Sequence, residues 1–209
     1  MSAKRRGVRK RMNRIHVLLC LLIVGLSGCV TKPESSGRPA QKLVYTGFSI
    51  EQPESRPWSQ NADRQSNYRA AFELESPSST HSLAADVALS VMTQAPKTPE
   101  DLESLVRKSF QVDDTNRFAR LSFAVSITTN LGLVGATYTE RLLDRRPAEG
   151  PGPLILVHHG YVTPHPDNPN VILQAMYTER GRKEEIGHAE YASLGKEFLR
   201  GVRFERLPR

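Results

Sequence analysis

Arg120–Leu142 reads RLSFAVSITTNLGLVGATYTERL, and its pattern decides the fold class. Leu121, Phe123, Val125 and Ile127 alternate with small polar residues, the period-2 signature of a strand with one buried face. Asn130-Leu131-Gly132 supplies turn chemistry, and Leu133–Leu142 returns as the partner strand. Two strands joined by so short a turn must run antiparallel, since a parallel pair needs a crossover of about a dozen residues or more.

The same alternation runs outward in both directions. Upstream, Leu83, Ala85, Val87, Leu89 and Val91 mark a half-buried strand, preceded by a short strand at Tyr68–Glu75 and a polar turn at Ser76–His81. A further strand is predicted around Leu43–Glu51, followed by a Pro/Ser/Asn-rich connection through Trp58 to Ser66. Between these strands and the hairpin lies a clear helix start. Thr98 is the N-cap, Pro99 occupies the first helical position, and Glu100 and Asp101 sit at the positive end of the helix dipole. Leu102, Leu105, Val106 and Phe110 follow at helical spacing, one apolar stripe facing a sheet.

Downstream, the polar break Asp144–Gly152 precedes Leu154–Val162, whose unbroken apolar start predicts a central strand. Pro164–Asn170, PHPDNPN, is a turn stiffened by three prolines, and Val171–Glu179 answers it as the second arm of a hairpin. A last helix over Ile186–Leu199 presents Tyr191, Leu194 and Phe198, and a short strand at Val202–Phe204 ends the pattern. Strands, helix, a four-strand antiparallel run, helix and strand predict one α+β domain over residues 43–207, an antiparallel sheet covered by two helices.

This arrangement resembles the PsbP-like fold, shared by extrinsic photosystem II subunits and a Ran-binding nuclear-import factor. The matching residues are Gly47-Phe48-Ser49-Ile50 with Pro53 and Trp58, the helix opening Thr98-Pro99, and the end Phe198-Leu199, Gly201-Val202 and Phe204. The resemblance implies a layered sandwich and a class whose members mostly bind other macromolecules. No binding residue of that family can be placed on this chain, so neither partner carries over.

The N-terminal part gives the address. Val17–Leu26 is a ten-residue apolar run, too short for a hydrocarbon core that needs about 20 helical residues. Lys4, Arg5, Arg6, Arg9, Lys10, Arg11 and Arg14 precede it with no acidic residue, the layout of a secretory signal. Met12 also opens a signal of more ordinary length. Leu26-Ser27-Gly28-Cys29 resembles the lipobox of bacterial lipoproteins, in which cleavage falls between Gly28 and Cys29 and the cysteine is diacylglycerylated. Small residues there admit a peptidase, and a thiol is the nucleophile to be alkylated. The bland alternative, a buried helix, does not explain the all-basic start or the polar stretch that follows. Residues 29–42, CVTKPESSGRPAQK, have the composition of a flexible tether.

Loss of residues 1–28 changes the meaning of the charge. Seven of the 29 basic residues leave with the signal and no acidic one does, so the mature chain holds 22 of each sign. The basic surface that a nucleic-acid partner requires is therefore not indicated. Cys20 leaves with the signal and Cys29 is the lipid site, so the mature domain keeps no thiol for a disulfide, a cysteine nucleophile or a Cys-based zinc site. It must hold together by packing.

The remaining candidates for chemistry are thin. His158 and His159 are adjacent on a strand and point to opposite faces, so they do not easily share one ion, and zinc needs at least three convergent ligands. Ser193-Leu194-Gly195-Lys196 fits S-x-x-K, but its companion motifs are absent and a helix with Leu194 inward and Lys196 outward explains it. His188-Ala189-Glu190 lacks the cysteine pair of a zinc deaminase. Asp113-Asp114 lacks the alternating oxygens of a calcium loop and reads as a turn after the helix. No cofactor is implied. The turn Pro164, His165, Asp167 and Asn168 is predicted to project and display His165, either as a contact loop or as a rigid connector. Two readings follow: a lipid-anchored envelope protein that binds an envelope partner, or a small hydrolase-like envelope enzyme. A cleft in which Ser193 or a histidine meets a buried carboxylate would favour the second.

Overall fold

The computed structural model describes residues 41–53, 58–76, 78–130, 133–148 and 152–208. The signal, its cleavage site at Gly28, Cys29 and nearly all of the tether lie outside them. Ten strands and two helices follow in order: β1 (Lys42–Tyr45), β2 (Phe48–Glu51), β3 (Ser59–Gln60), β4 (Arg69–Leu74), β5 (Ser82–Val91), α1 (Pro99–Ser109), β6 (Phe118–Asn130), β7 (Leu133–Asp144), β8 (Leu154–His165), β9 (Asn168–Gly181), α2 (Ala189–Arg200) and β10 (Val202–Phe204). They form a seven-stranded sheet in the order β3-β4-β5-β9-β8-β7-β6 and a three-stranded sheet, β1-β2-β10. Every pairing is antiparallel. The domain is an α+β sandwich of antiparallel sheet covered by two helices.

The register assigns each side chain to a layer, because directly paired residues share a face. One face carries Ala136 and Tyr138 of β7, Val162 of β8 and Ile172 of β9, and these close on Leu102, Val106 and Phe110 from α1. The Phe110 and Tyr138 rings lie 4.2 Å apart. The N-cap of α1 is a capping box: Thr98 accepts the Asp101 N–H while the Asp101 carboxylate accepts the Thr98 N–H. The opposite face carries Phe72, Leu83, Ala85, Val87, Leu173, Ala175 and Tyr177, covered by Leu194 and Phe198 of α2 and by Phe48, Ile50 and Val202 of the small sheet. At the contact of α2 with the sheet only glycine fits, because a Cβ on Gly195 would stand 2.4 Å from the Tyr177 ring.

Four local expectations are corrected. The single strand around Leu43–Glu51 is a hairpin of β1 and β2, turned at Thr46-Gly47 with Gly47 at φ 77°, a conformation that costs glycine little. Leu121 does not share the apolar face of β6: the register slips between Arg120 and Ser122, so Leu121 is the extra residue of a bulge and stands 51% exposed. The last helix starts at Ala189 rather than Ile186, after Gly187 at φ 81° and His188 as N-cap. The proline-stiffened turn does not project as a free loop. Its strands run on until His165 faces Asn168, leaving Pro166-Asp167 as the connection.

Candidate functional site

Two regions of the described residues stand apart from ordinary core and surface. The first is an open cleft of about 460 Å³ where the turn after β4 meets the connection from β9 to α2. Glu179 sits in β9 on the α2-covered face, in phase with Tyr177 and Ala175, and is 4% exposed. Its Oε1 lies 3.1 Å from His81 Nε2, and its Oε2 accepts the Gly187 N–H at 3.1 Å. His81, also 4% exposed, has Nδ1 2.7 Å from Ser76 Oγ. A carboxylate can only accept, so Glu179 places the imidazole proton on Nε2 and leaves Nδ1 to accept the Ser76 hydroxyl proton.

The neighbours fix the imidazole plane. Tyr191 of α2 lies against it with ring centres 4.5 Å apart, and a Cβ on Gly181 would stand 3.0 Å from its Cδ2. Glu185 ties the same two segments together at the rim, accepting from Ser78 Oγ, Thr80 Oγ1 and the Arg182 N–H. The Arg182 N–H and these hydroxyls pull its carboxyl down to about 2.

The second region is the β6–β7 hairpin. β6 is the last strand of the sheet, and its outer edge has no strand beside it among the described residues. Asn130 faces Leu133 across a two-residue connection. In such a hairpin the bonded positions fall on Asn130, Thr128, Ser126 and Ala124, so Phe123, Val125 and Ile127 turn N–H and C=O toward the free edge. From Ser122 to Asn130 there is no charge and no proline, the devices that usually blunt an edge. α1 covers one face of the hairpin; the other carries Ser122, Ala124 and Ser126, all exposed, and the half-buried Thr128. Ile127 and Val134 add exposed apolar surface near its tip.

The residues singled out from sequence are scattered. His158 faces α1, with Nδ1 2.8 Å from Thr178 Oγ1, and burial, helped by the charge of His159, pushes its pKa down to about 4. His159 faces the other way, 3.0 Å from Thr139 Oγ1 and stacked on Tyr177, and burial with the nearby Lys196 also lowers its pKa. No group of three potential metal ligands converges among the described residues. Ser193 and Lys196 are exposed on α2 while Leu194 is buried, the helix arrangement expected. Asp114 caps a turn, accepting the N–H groups of Asn116 and Arg117. His188 is the exposed N-cap of α2.

His165 is a correction. It is 2% exposed rather than displayed, with Nε2 donating to the carbonyls of Gly47 and Glu205 at 3.0 and 3.1 Å, and Nδ1 accepting the Asp167 N–H. Asp167 accepts the Leu207 N–H, so the turn is fastened to the small sheet and the chain after it. Pro164 is half-buried, and only residues 166–170 face solvent. An imidazole on a short polar loop found unfilled backbone carbonyls nearby, and pairing them outweighed its exposure.

Sequence reading missed the Ser76, His81 and Glu179 cluster. Glu179 did carry a signal, an acidic residue in phase with the buried Leu173, Ala175 and Tyr177. His81 carried none, because its partner lies 98 residues away.

No protein-family model matches the chain, and no curated protein matches its sequence. Solved structures resemble it in fold. Cyanobacterial PsbP (CyanoP) from Synechocystis sp. PCC 6803 is 14% identical with a TM-score of 0.48, the match covering 85% of this chain and 100% of that one. A Mog1 mutant is 11% identical with a TM-score of 0.46, covering 78% and 94%. The Ran-binding protein Mog1p of Saccharomyces cerevisiae is 9% identical at 0.44, with the same coverage. Likeness at this level assigns no partner, ligand or activity.

Proposed function

We propose that this chain is a bacterial envelope lipoprotein, anchored in a lipid bilayer through acylated Cys29, whose domain binds an envelope protein at the β6–β7 hairpin. The observation that carries the binding half is the bare edge of β6, nine consecutive residues from Ser122 to Asn130 without charge or proline at the end of the sheet. An extended segment of a partner adds there as a further strand, gaining main-chain hydrogen bonds from Phe123, Val125 and Ile127. Beside that strand, the exposed Ser122, Ala124 and Ser126 give the face small side chains. Residues 166–170, including Asp167 and Asn168, form a smaller solvent-facing patch that joins the contact reading in second place.

The anchor half is supported by the basic n-region, the short apolar run and Leu26-Ser27-Gly28-Cys29. Each buried CH₂ contributes about 0.8 kcal/mol, so two or three acyl chains hold where one would not. Val30, rather than Asp, follows the cysteine, which supports outer-membrane residence facing the periplasm. No nucleic acid enters this reading.

The test has two arms. Cys29→Ala abolishes lipid attachment, leaving an uncleaved or soluble product; unchanged mass and membrane extraction would overturn the anchor. A photo-crosslinker at Ile127 captures an envelope protein while one at Glu103, on the exposed side of α1, does not; equal yields would overturn the hairpin assignment.

A further inference from the structure

The cleft beside β9 holds more than a binding domain requires. We infer that Ser76, His81 and Glu179 form a nucleophile, base and orienting carboxylate for acyl transfer, acting on an ester or amide of a neutral or cationic substrate. The inference goes beyond the tethered binding reading and does not depend on it.

The arrangement has the connectivity and the gradient of exposure that such chemistry needs. Ser76 is half-buried and opens on the cleft, while His81 and Glu179 behind it are each 4% exposed. The hydroxyl lies 2.7 Å from Nδ1, and Nε2 lies 3.1 Å from the carboxylate. Both distances are within the reach expected of a working relay. The second carboxylate oxygen is held by the Gly187 N–H, so Glu179 cannot turn away from the imidazole. The direction is the reverse of the commoner arrangement, with Nδ1 rather than Nε2 toward the serine, and the role of each nitrogen follows from its partner.

In the forward step Ser76 Oγ bonds to the acyl carbon as its proton passes to His81 Nδ1. The imidazolium formed is stabilised by Glu179, and it returns that proton to the leaving oxygen or nitrogen as the acyl bond breaks. Water then attacks the Ser76 ester with His81 again taking the proton, releasing the acid and restoring the hydroxyl. The start of α2 lines the same cleft through Ala189 and Tyr191, and the His188 side chain does not cap it. The leading N–H groups of a helix have no intrahelical partner, which makes them the donors at hand for an oxyanion formed here. Glu184, Glu185 and Glu190 also line the cleft, and their charge turns away anionic substrates.

The experiment uses the full-length protein in detergent and an alkyl fluorophosphonate, with the labelled residue located by mass spectrometry. The expected result is label on Ser76, none in Ser76→Ala, and at least a tenfold slower reaction in His81→Gln. Ser193→Ala leaves the rate unchanged, since that exposed serine has no such base. If His81→Gln fails to fold by circular dichroism, hydrolysis of an acetyl ester by wild type against Ser76→Ala decides instead, and equal rates overturn the proposal. Absence of label on Ser76 in folded protein overturns it outright, leaving a tie between two loops. Partner capture by Ser76→Ala should match wild type, which separates failure here from failure of the hairpin reading.

Discussion

The two halves of the seven-stranded sheet are finished in opposite ways. Around β5 and β9 the sheet meets α2 and the small sheet, and its connections are fastened by His81–Glu179, Glu185 with Ser78 and Thr80, and His165 with two carbonyls. At β6 and β7, among the described residues, α1 covers one face and the outer edge of β6 has no strand beside it. Both halves are built from alternating strands and both pair charged side chains within the chain, Arg117 with Asp144 and Arg120 with Glu140 at β6 and β7, yet β6 leaves the backbone of its outer edge available. The difference teaches where to look for work done on other molecules. A stretch of sheet that is closed by its own loops is architecture or chemistry; an uncharged edge left bare is a place for another chain.

The contrast predicts a steep gradient in mutational cost. Phe198 is fully buried and packs on Trp58 and Phe72, with ring centres 5.0 and 5.2 Å away. Phe198→Ala should cost about 3–5 kcal/mol in chemical denaturation. Val134→Ala, on the half-exposed hairpin, should stay within about 0.5 kcal/mol. Similar losses at the two sites would break the comparison.

Adjacent histidines extend it to pH. His158 is buried under the α1 side and its pKa is pushed down to about 4. The unfolded chain therefore takes up a proton near pH 6.5 that the folded chain refuses until about pH 4. Stability from this group is fully present above pH 6.5 and is lost as pH falls toward 4, on the order of 3 kcal/mol. His158→Gln should flatten that part of the stability curve, and a curve unchanged by the substitution would show that another group sets it.

A smaller effect tests the α2 contact. Gly195→Ala gains helix propensity but drives a Cβ into the Tyr177 ring. The clash should win, lowering stability by about 1–3 kcal/mol in thermal or chemical unfolding. A stabilised variant would mean that α2 can lift off the sheet without cost.

Much of this was legible in the chain. Alternation in Leu83–Val91 and Arg120–Thr128, the unbroken apolar start of Leu154–Val162, and the turns at Asn130–Gly132 and Pro164–Asn170 pointed to antiparallel strands, and Thr98-Pro99 to the start of α1, because these signals are local. Non-local features were hidden. The bulge at Leu121 depends on how β7 pairs, and the β1–β2 hairpin hangs on one positive-φ glycine inside a run that reads as extended. The imidazole of His81 could be matched to Glu179 only once β5 and β9 were neighbours. For the same reason His165 was expected at a tip and found locked to Gly47 and Glu205, 118 and 40 residues away.

The account stands or falls on the bare edge of β6. Ile127 is 37% exposed, and its N–H faces outward, so a proline there removes no bond to β7 but denies a partner strand its place. The decisive measurement is capture of the envelope partner from native membranes by wild type and by Ile127→Pro, with folding of both checked by circular dichroism. The account predicts a variant that melts within a few degrees of wild type and captures at least tenfold less partner. Undiminished capture by a folded Ile127→Pro protein would contradict it.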